Sequence, residues 1–207
     1  DAETNIMGTL RVLEGARKSN ANKVVVAASG GTLYGAQDPA LLPFKESLSP
    51  NPGTPYGISK AVTMNYLAAY EDLYGLDGTA LALANVYGPR QDPHGEAGVI
   101  AIFAGQLLRG EESTIFGTGE QTRDFVYVDD AVDAFIQASE IEGIKFCNVG
   151  TGIETSVNNL YQSMASLIGS SSQPQYLPSR SGELDRSALD PTYAQEALGW
   201  HPNQPPF

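Results

Sequence analysis

Lys23-Val24-Val25-Val26-Ala27-Ala28, followed by Ser29-Gly30-Gly31-Thr32-Leu33-Tyr34-Gly35, decides the fold class. The first six residues are an apolar, largely β-branched run with little alternation, the pattern of a strand covered on both faces of a parallel sheet. Upstream, residues 4–17 set Ile6, Leu10, Leu13 and Ala16 at three- and four-residue spacings, so the chain is expected to open inside an amphipathic helix. Downstream, residues 56–74 turn helical and end at Gly75, and residues 79–86 read as a second buried strand. Helix, strand, helix, strand in that order is the grammar of an α/β fold.

Between residues 29 and 55 the chain holds Gly30, Gly31, Gly35, Pro39, Pro43, Pro50, Pro52 and Pro55, too broken for a regular element. A loop of that length is usually functional. Beyond Gly88-Pro89 the pattern predicts a helix over 98–108, a strand over 113–116 and a turn at 117–119. A helix capped by Asp129 and reaching about 139, a buried strand over 146–149 and the turn Gly150-Thr151-Gly152 come next. A helix over 156–168, a strand near Tyr176 and a short helix over 191–198 complete the pattern, with no internal repeat or low-complexity segment.

The 207 residues suffice for one domain or one and a half, with a sizeable core. A net charge of -12 argues against nucleic acid, whose binding draws on cationic contacts to phosphates. A small anionic ligand remains compatible if arginines and helix amino termini gather locally. No apolar run approaches the roughly 18 residues of a membrane span. No charged-then-apolar leader opens the chain, so a cytoplasmic protein without a membrane partner is expected. Cys147 is the only cysteine, cannot form an internal disulfide and reads as a buried structural thiol. His94 and His201 are isolated and read as surface residues, so no metal site is expected.

The local feature that carries chemistry is Tyr56-Gly57-Ile58-Ser59-Lys60. Residues four apart on a helix project from one face, so phenol and amine can act together. A free phenol titrates near pH 10, and making it a base at neutral pH takes about 4 kcal/mol. A neighbouring ammonium supplies part of that, and an oxidised nicotinamide adds further positive charge.

Four ordered motifs then carry a resemblance over nearly the whole chain: residues 24–35, residues 56–60, Asn85-Val86-Tyr87-Gly88-Pro89-Arg90, and Thr122-Arg123-Asp124-Phe125-Val126-Tyr127-Val128-Asp129-Asp130. Together they resemble the extended short-chain dehydrogenase/reductases that modify nucleotide sugars, the NAD-dependent epimerase/dehydratase family. Residues 85–103 are most similar to its UDP-galactose (UDP-glucose) 4-epimerases. The resemblance implies an α/β fold with a partial doubly wound, Rossmann-like parallel sheet and a smaller C-terminal α/β substrate domain. Residues 1–88 and 125–150 would belong to a partial NAD-binding domain, and 89–124 with 151–207 to the nucleotide-sugar domain.

By the same resemblance, Tyr56 removes the proton of the sugar 4-hydroxyl while hydride leaves carbon 4 for NAD, and Lys60 holds the nicotinamide ribose and lowers the phenol pKa. The 4-keto sugar turns over and takes the hydride back on its other face. A hydroxyl normally steadies the sugar oxygen at the position that Gly30 fills here, so its role passes to Ser29 or Thr32. Sugar dehydratases place an Asp-Glu pair after that hydroxyl, where this chain has Gly31 and Thr32. Asn85 would meet the sugar and diphosphate, Val99 and Ile100 would offer backbone contacts, and Thr114 and Phe116 would flank the uracil. Arg123 and Arg180 would clamp the diphosphate, with Glu183 near the ribose. Arg90 is expected to pair with Asp92 or Glu96. The helices over 4–17 and 56–74 are candidates for a homodimer contact.

The chain departs from the family pattern in two respects. No Gly-x-x-Gly-x-x-Gly fingerprint stands between a first strand and helix, so most of the cofactor-binding half is expected to lie before Asp1, with a further helix after residue 200. Ala82 and Leu83 stand where relatives often carry arginine and tyrosine. The competing readings are a UDP-sugar decarboxylase or another epimerase and, from a different class, a non-catalytic binding or regulatory member.

Overall fold

The computed structural model describes residues 1–94, 98–180 and 182–204. A π-helical stretch, Ala2–Met7, runs into α1 (Gly8–Lys18), whose last turn carries Arg17 and Lys18 where the helix dipole favours cations. β1 (Lys23–Ser29) passes directly into α2 (Gly30–Tyr34). The expectation of no regular element over 29–55 is corrected here: α2 is a helix, and a 3-10 turn, Pro39–Leu41, follows with the Asp38 carboxylate accepting from the Ala40 amide at 2.9 Å. Five residues are too few to show helical periodicity, and burial of Leu33 and Tyr34 stabilises what local propensity does not.

α3 (Pro55–Tyr74) starts where its residues dictate. The Thr54 hydroxyl accepts from the Gly57 amide at 3.1 Å, Pro55 occupies the first turn, and Gly75 closes the helix in the left-handed region at φ 68°. β2 (Asp77–Leu83) and β3 (Asn85–Tyr87) come next, where a single strand over 79–86 was expected. The chain changes partner at Ala84: its amide donates to Val149 at 2.9 Å, and that of Asn85 donates to Asp124 at 2.9 Å.

α4 (Val99–Arg109), β4 (Thr114–Phe116), β5 (Thr122–Arg123), β6 (Phe125–Tyr127) and α5 (Val128–Glu140) follow. Tyr127, not Asp129, stands at the cap of α5; Asp129 and Asp130 lie in its first turn. The Asp130 carboxylate instead accepts the amides of Asn203 and Gln204, at 3.0 and 3.2 Å. β7 (Phe146–Val149), β8 (Thr155–Ser156), α6 (Val157–Ile168), β9 (Gln175–Leu177) and α7 (Thr192–Leu198) complete the order.

The main sheet is parallel, in the order β1-β2-β7. β2 is its central strand and is buried from Gly78 to Ala82, whereas β1 is half-buried and exposes Ala27. β1 packs Val25 against one core and Val24 and Val26 against another, so both of its faces are covered as expected, and its lower burial goes with its having one partner strand among the described residues. A parallel pair β3-β6 continues from the carboxyl end of that sheet, and β4-β9 (parallel) and β5-β8 (antiparallel) carry the C-terminal part. Leu81, Val126, Cys147, Val149, Leu198 and Trp200 form one core, and Phe103, Ile115, Leu160 and Tyr161 a second. Burial pushes the Cys147 thiol up to about 12, as suits an inert structural residue. Among the described residues no helix is long and apolar enough to cross a membrane, and no cluster suits a metal ion.

Candidate active site

β1 and β2 end side by side, with Ser29 in register with Leu83. A cleft of about 210 Å³ opens beyond them, lined by Ser29, Gly31 and Thr32 from the start of α2, by Leu83, Ala84 and Asn85, by Arg123, and by Gly182 to Leu184 with Ser187. The carboxyl ends of parallel strands are the usual ligand position in open α/β sheets. Both candidate hydroxyls, Ser29 and Thr32, therefore share a cavity with Asn85, Arg123 and Glu183.

α3 is keyed to this cleft by a close approach. A side-chain carbon on Gly57 would lie 2.6 Å from the Thr32 carbonyl oxygen, so only glycine lets the first turn of α3 rest against α2. Lys60 reaches back to β1, where its Nζ donates to the Ala27 carbonyl at 2.9 Å and sits 5.8 Å from the centroid of the Tyr56 ring. Burial lowers the Lys60 pKa from its ordinary value, easing release of its proton. The Ser59 hydroxyl donates to the Tyr56 carbonyl at 2.8 Å and accepts from Asn5 at 2.9 Å, tying this turn to the first helix.

Arg123 is largely buried, with 19% of its side chain exposed, and desolvation pulls its pKa down. Its Nη1 donates to the Thr122 carbonyl at 2.7 Å and its Nη2 meets Glu183 at 3.4 Å. Desolvation outweighs the pull of Glu183 and Asp185 on this guanidinium, and a bound anion would offset that cost. Arg180 stands elsewhere: its Cζ lies 3.8 Å from the centroid of Phe116. The two arginines thus make different contacts, one on Glu183 and one on an aromatic face. A neighbouring cavity of about 460 Å³ is lined by Gly117, Thr118, Gln121, Arg180 and Glu183 among others. Glu183 and Leu184 line both spaces. Thr114 and Phe116 sit on β4, and Val99 and Ile100 open α4, whose Gly98 cap offers no side-chain acceptor for the first amides. The Asp92 carboxylate accepts the His94 amide at 2.9 Å, and Glu96 lies outside the described residues.

Two features were not read from the sequence. A side-chain carbon on Gly30 would come 2.3 Å from Leu189 Cδ1, so the position that usually holds a hydroxyl is filled by Leu189. Asp124, quoted as part of a motif and given no role, is 1% exposed and accepts from both Thr151 and Leu189. A charge directly before the apolar run Phe125-Val126 was its available signal; Leu189 gave none.

Residues 182–190 form a strap over the cleft. Phe44 holds it from both sides, accepting the Asp190 amide and donating to Ala188, each at 2.8 Å. Arg186 grips Glu154 through both of its fork nitrogens, with Nε at 2.9 Å, and Thr122 donates to the same carboxylate. The Arg186 bond, chiefly, lowers the Glu154 pKa below its ordinary value. A depressed carboxylate pKa contributes stability above the unfolded-state value and loses it as pH falls through the folded one. In calorimetric melts, Glu154→Gln should therefore lower Tm at pH 7, and the difference from the parent chain should shrink below about pH 4. A difference constant with pH would remove the charge contribution.

The model of the "NAD dependent epimerase/dehydratase family" matches residues 1–150. A curated UDP-glucose 4-epimerase of Mycolicibacterium smegmatis is 49% identical over 203 residues, covering 98% of this chain and 64% of its own length. The crystal structure of the Thermotoga maritima UDP-glucose 4-epimerase with UDP-glucose superposes with a TM-score of 0.96 at 46% identity, over 99% of this chain and 66% of that one. The Thermus thermophilus UDP-glucose 4-epimerase, solved with NAD, superposes with a TM-score of 0.90 at 39% identity, over 99% of this chain and 67% of that one. The chain thus spans less than two-thirds of the M. smegmatis relative's length.

Proposed function

Because the chain belongs to the NAD-dependent epimerase/dehydratase family, we propose that the protein interconverts UDP-glucose and UDP-galactose by inverting carbon 4 of the hexose. The observation that carries this reading is the cleft that unites Ser29, Thr32, Asn85 and the desolvated Arg123 beside a strand that Lys60 grips. Hydroxyls and an amide suit a pyranose, and a buried guanidinium suits a diphosphate.

A nicotinamide cofactor fits the residues at the Tyr56 end. Lys60 is a partly desolvated ammonium whose one hydrogen-bond partner among the described residues is the Ala27 carbonyl, and its remaining donors suit ribose hydroxyls. When bound, NAD would supply the hydride acceptor and donor for carbon 4. The chain's own residues do the rest. Tyr56 takes the proton of the 4-hydroxyl and later returns it, with the Lys60 ammonium 5.8 Å from the centroid of its ring. Ser29 or Thr32 holds the sugar oxygen. Asn85 and Arg123 hold the diphosphate with the uncapped amides at Val99 and Ile100, and Glu183 approaches the ribose. Phe116, with Arg180 on one face and Thr114 nearby, is the base platform. The reading includes a cytoplasmic location and a homodimer formed through the first helix and α3, which leave Val12, Leu73 and Tyr74 well exposed.

Calorimetric titration of this chain tests the reading without turnover. UDP-glucose should bind, and Arg123→Met should weaken it about tenfold or more, the worth of a hydrogen bond to a charged group. NAD should bind far more weakly than UDP-glucose, since no glycine fingerprint is present in the sequence. No detectable UDP-glucose binding would overturn the proposal.

A further inference from the structure

Asp124 combines features that the reading above does not use. It is 1% exposed, and among the described residues no cation forms an ion pair with it. Its Oδ1 accepts the Thr151 hydroxyl at 2.6 Å and the Thr151 amide at 3.0 Å. Its Oδ2 accepts the amides of Gly152 and Leu189, both at 3.1 Å, and shares that of Thr151 at 3.0 Å. The backbone carbonyl of the same residue accepts the Asn85 amide at 2.9 Å and the Asn85 Nδ2 at 3.1 Å. Leu189 fills the space over Gly30, next to Ser29, and a side-chain carbon on Gly150 would lie 2.5 Å from Asp124 Oδ2. One residue therefore fastens three segments that are distant in sequence: the start of β3, the turn after β7 and the strap.

Burying a carboxylate without a cation is costly, and here the cost is offset by donors drawn from two separate segments, the amides of Thr151, Gly152 and Leu189 and the Thr151 hydroxyl. Two of the fastened segments line the cleft, the start of β3 through Asn85 and the strap through Glu183, Leu184 and Ser187, and the turn after β7 ties them to the main sheet. Asn85 and Arg123 reach it from β3 and β5, while Ser29 and Thr32 reach it from the end of β1 and from α2. We propose that Asp124 is a positioning residue that sets the spacing between the diphosphate side and the hydroxyl side of the cleft, so that a nucleotide sugar bridges both while a bare nucleotide uses one. The inference rests on the proposed function for its ligand and on the hydrogen bonds alone for its geometry.

Thr151→Val tests it gently, removing the shortest of the bonds to Asp124 and the weaker one at 3.2 Å that the same hydroxyl accepts from the Ile153 amide. Thr151→Ser keeps both. In calorimetric titrations of the chain, Thr151→Val should weaken UDP-glucose about tenfold and UDP by less than about twofold, and Thr151→Ser should restore both. Equal weakening of the two ligands, or no change in either, overturns the proposal, because a purely structural residue has no reason to separate them. A second arm needs no ligand. In nitrogen-15 correlated NMR spectra, Thr151→Val should shift the Leu189 amide and the Asn85 side-chain amide together, and unshifted resonances at both overturn the proposal. If the unsubstituted chain binds no UDP-glucose, the functional reading fails and the NMR arm alone decides the role of Asp124.

Discussion

Tyr56→Phe is expected to lower the epimerisation rate of the full-length protein by about two to four orders of magnitude, the range that a positioned acid or base contributes. The substitution deletes one oxygen and keeps the ring, so the Lys60 ammonium retains its aromatic neighbour 5.8 Å away and its bond to Ala27. The Ser59 bond to the Tyr56 backbone also remains. The loss should therefore fall on kcat, with KM for UDP-galactose and the melting temperature close to those of the parent. Steady-state kinetics with product analysis reads this directly. A variant that kept its rate within about tenfold would not be using the phenol as its base.

Gly57→Ala should have the next largest effect, and through geometry alone. The new carbon would sit 2.6 Å from the Thr32 carbonyl oxygen and 3.1 Å from Pro52 Cβ, and a backbone oxygen cannot swing aside as a side chain would. The first turn of α3 must move outward, carrying Tyr56 with it. Overpacking of this kind costs roughly 1–3 kcal/mol of stability. Displacing a reacting group by about an ångström costs on the order of a hundredfold in rate. The matched control is Gly15→Ala in α1, where the added carbon meets nothing within 4 Å. It should leave kcat unchanged and raise Tm slightly, since alanine is the better helix former by roughly 0.5–1 kcal/mol. Equal kcat in both variants would break the link between Gly57 and the position of the phenol.

What could be read from the sequence was what short-range chemistry determines. α3 runs from Pro55 to Tyr74 because Thr54 caps it and Gly75 ends it, and both signals lie within a turn of the boundary. The buried strand β2 shows in its apolar run for the same reason. α2 was missed because its helix rests on contacts made far along the chain, such as the 2.9 Å bond from the Tyr34 hydroxyl to Asn148. The break at Ala84 was missed because an apolar run looks alike whether it keeps one partner strand or changes to another. Tyr56, Lys60, Ser29, Thr32, Asn85 and Arg123 could be named from their motifs. The reason Gly30 is a glycine could not, since Leu189 has no periodic or local tie to it.

The strap has a further consequence. Its principal anchors, Glu154, Asp124 and Phe44, belong to other segments, while Leu184 and Ser187 within it face the cavity. Such a division makes residues 182–190 a natural cassette: exchanging this stretch would reshape the cavity wall, while the anchoring points and both hydrophobic cores stay as they are. Diversification of the cleft would then require short replacements along one ribbon of chain, with no rebuilding of the sheet.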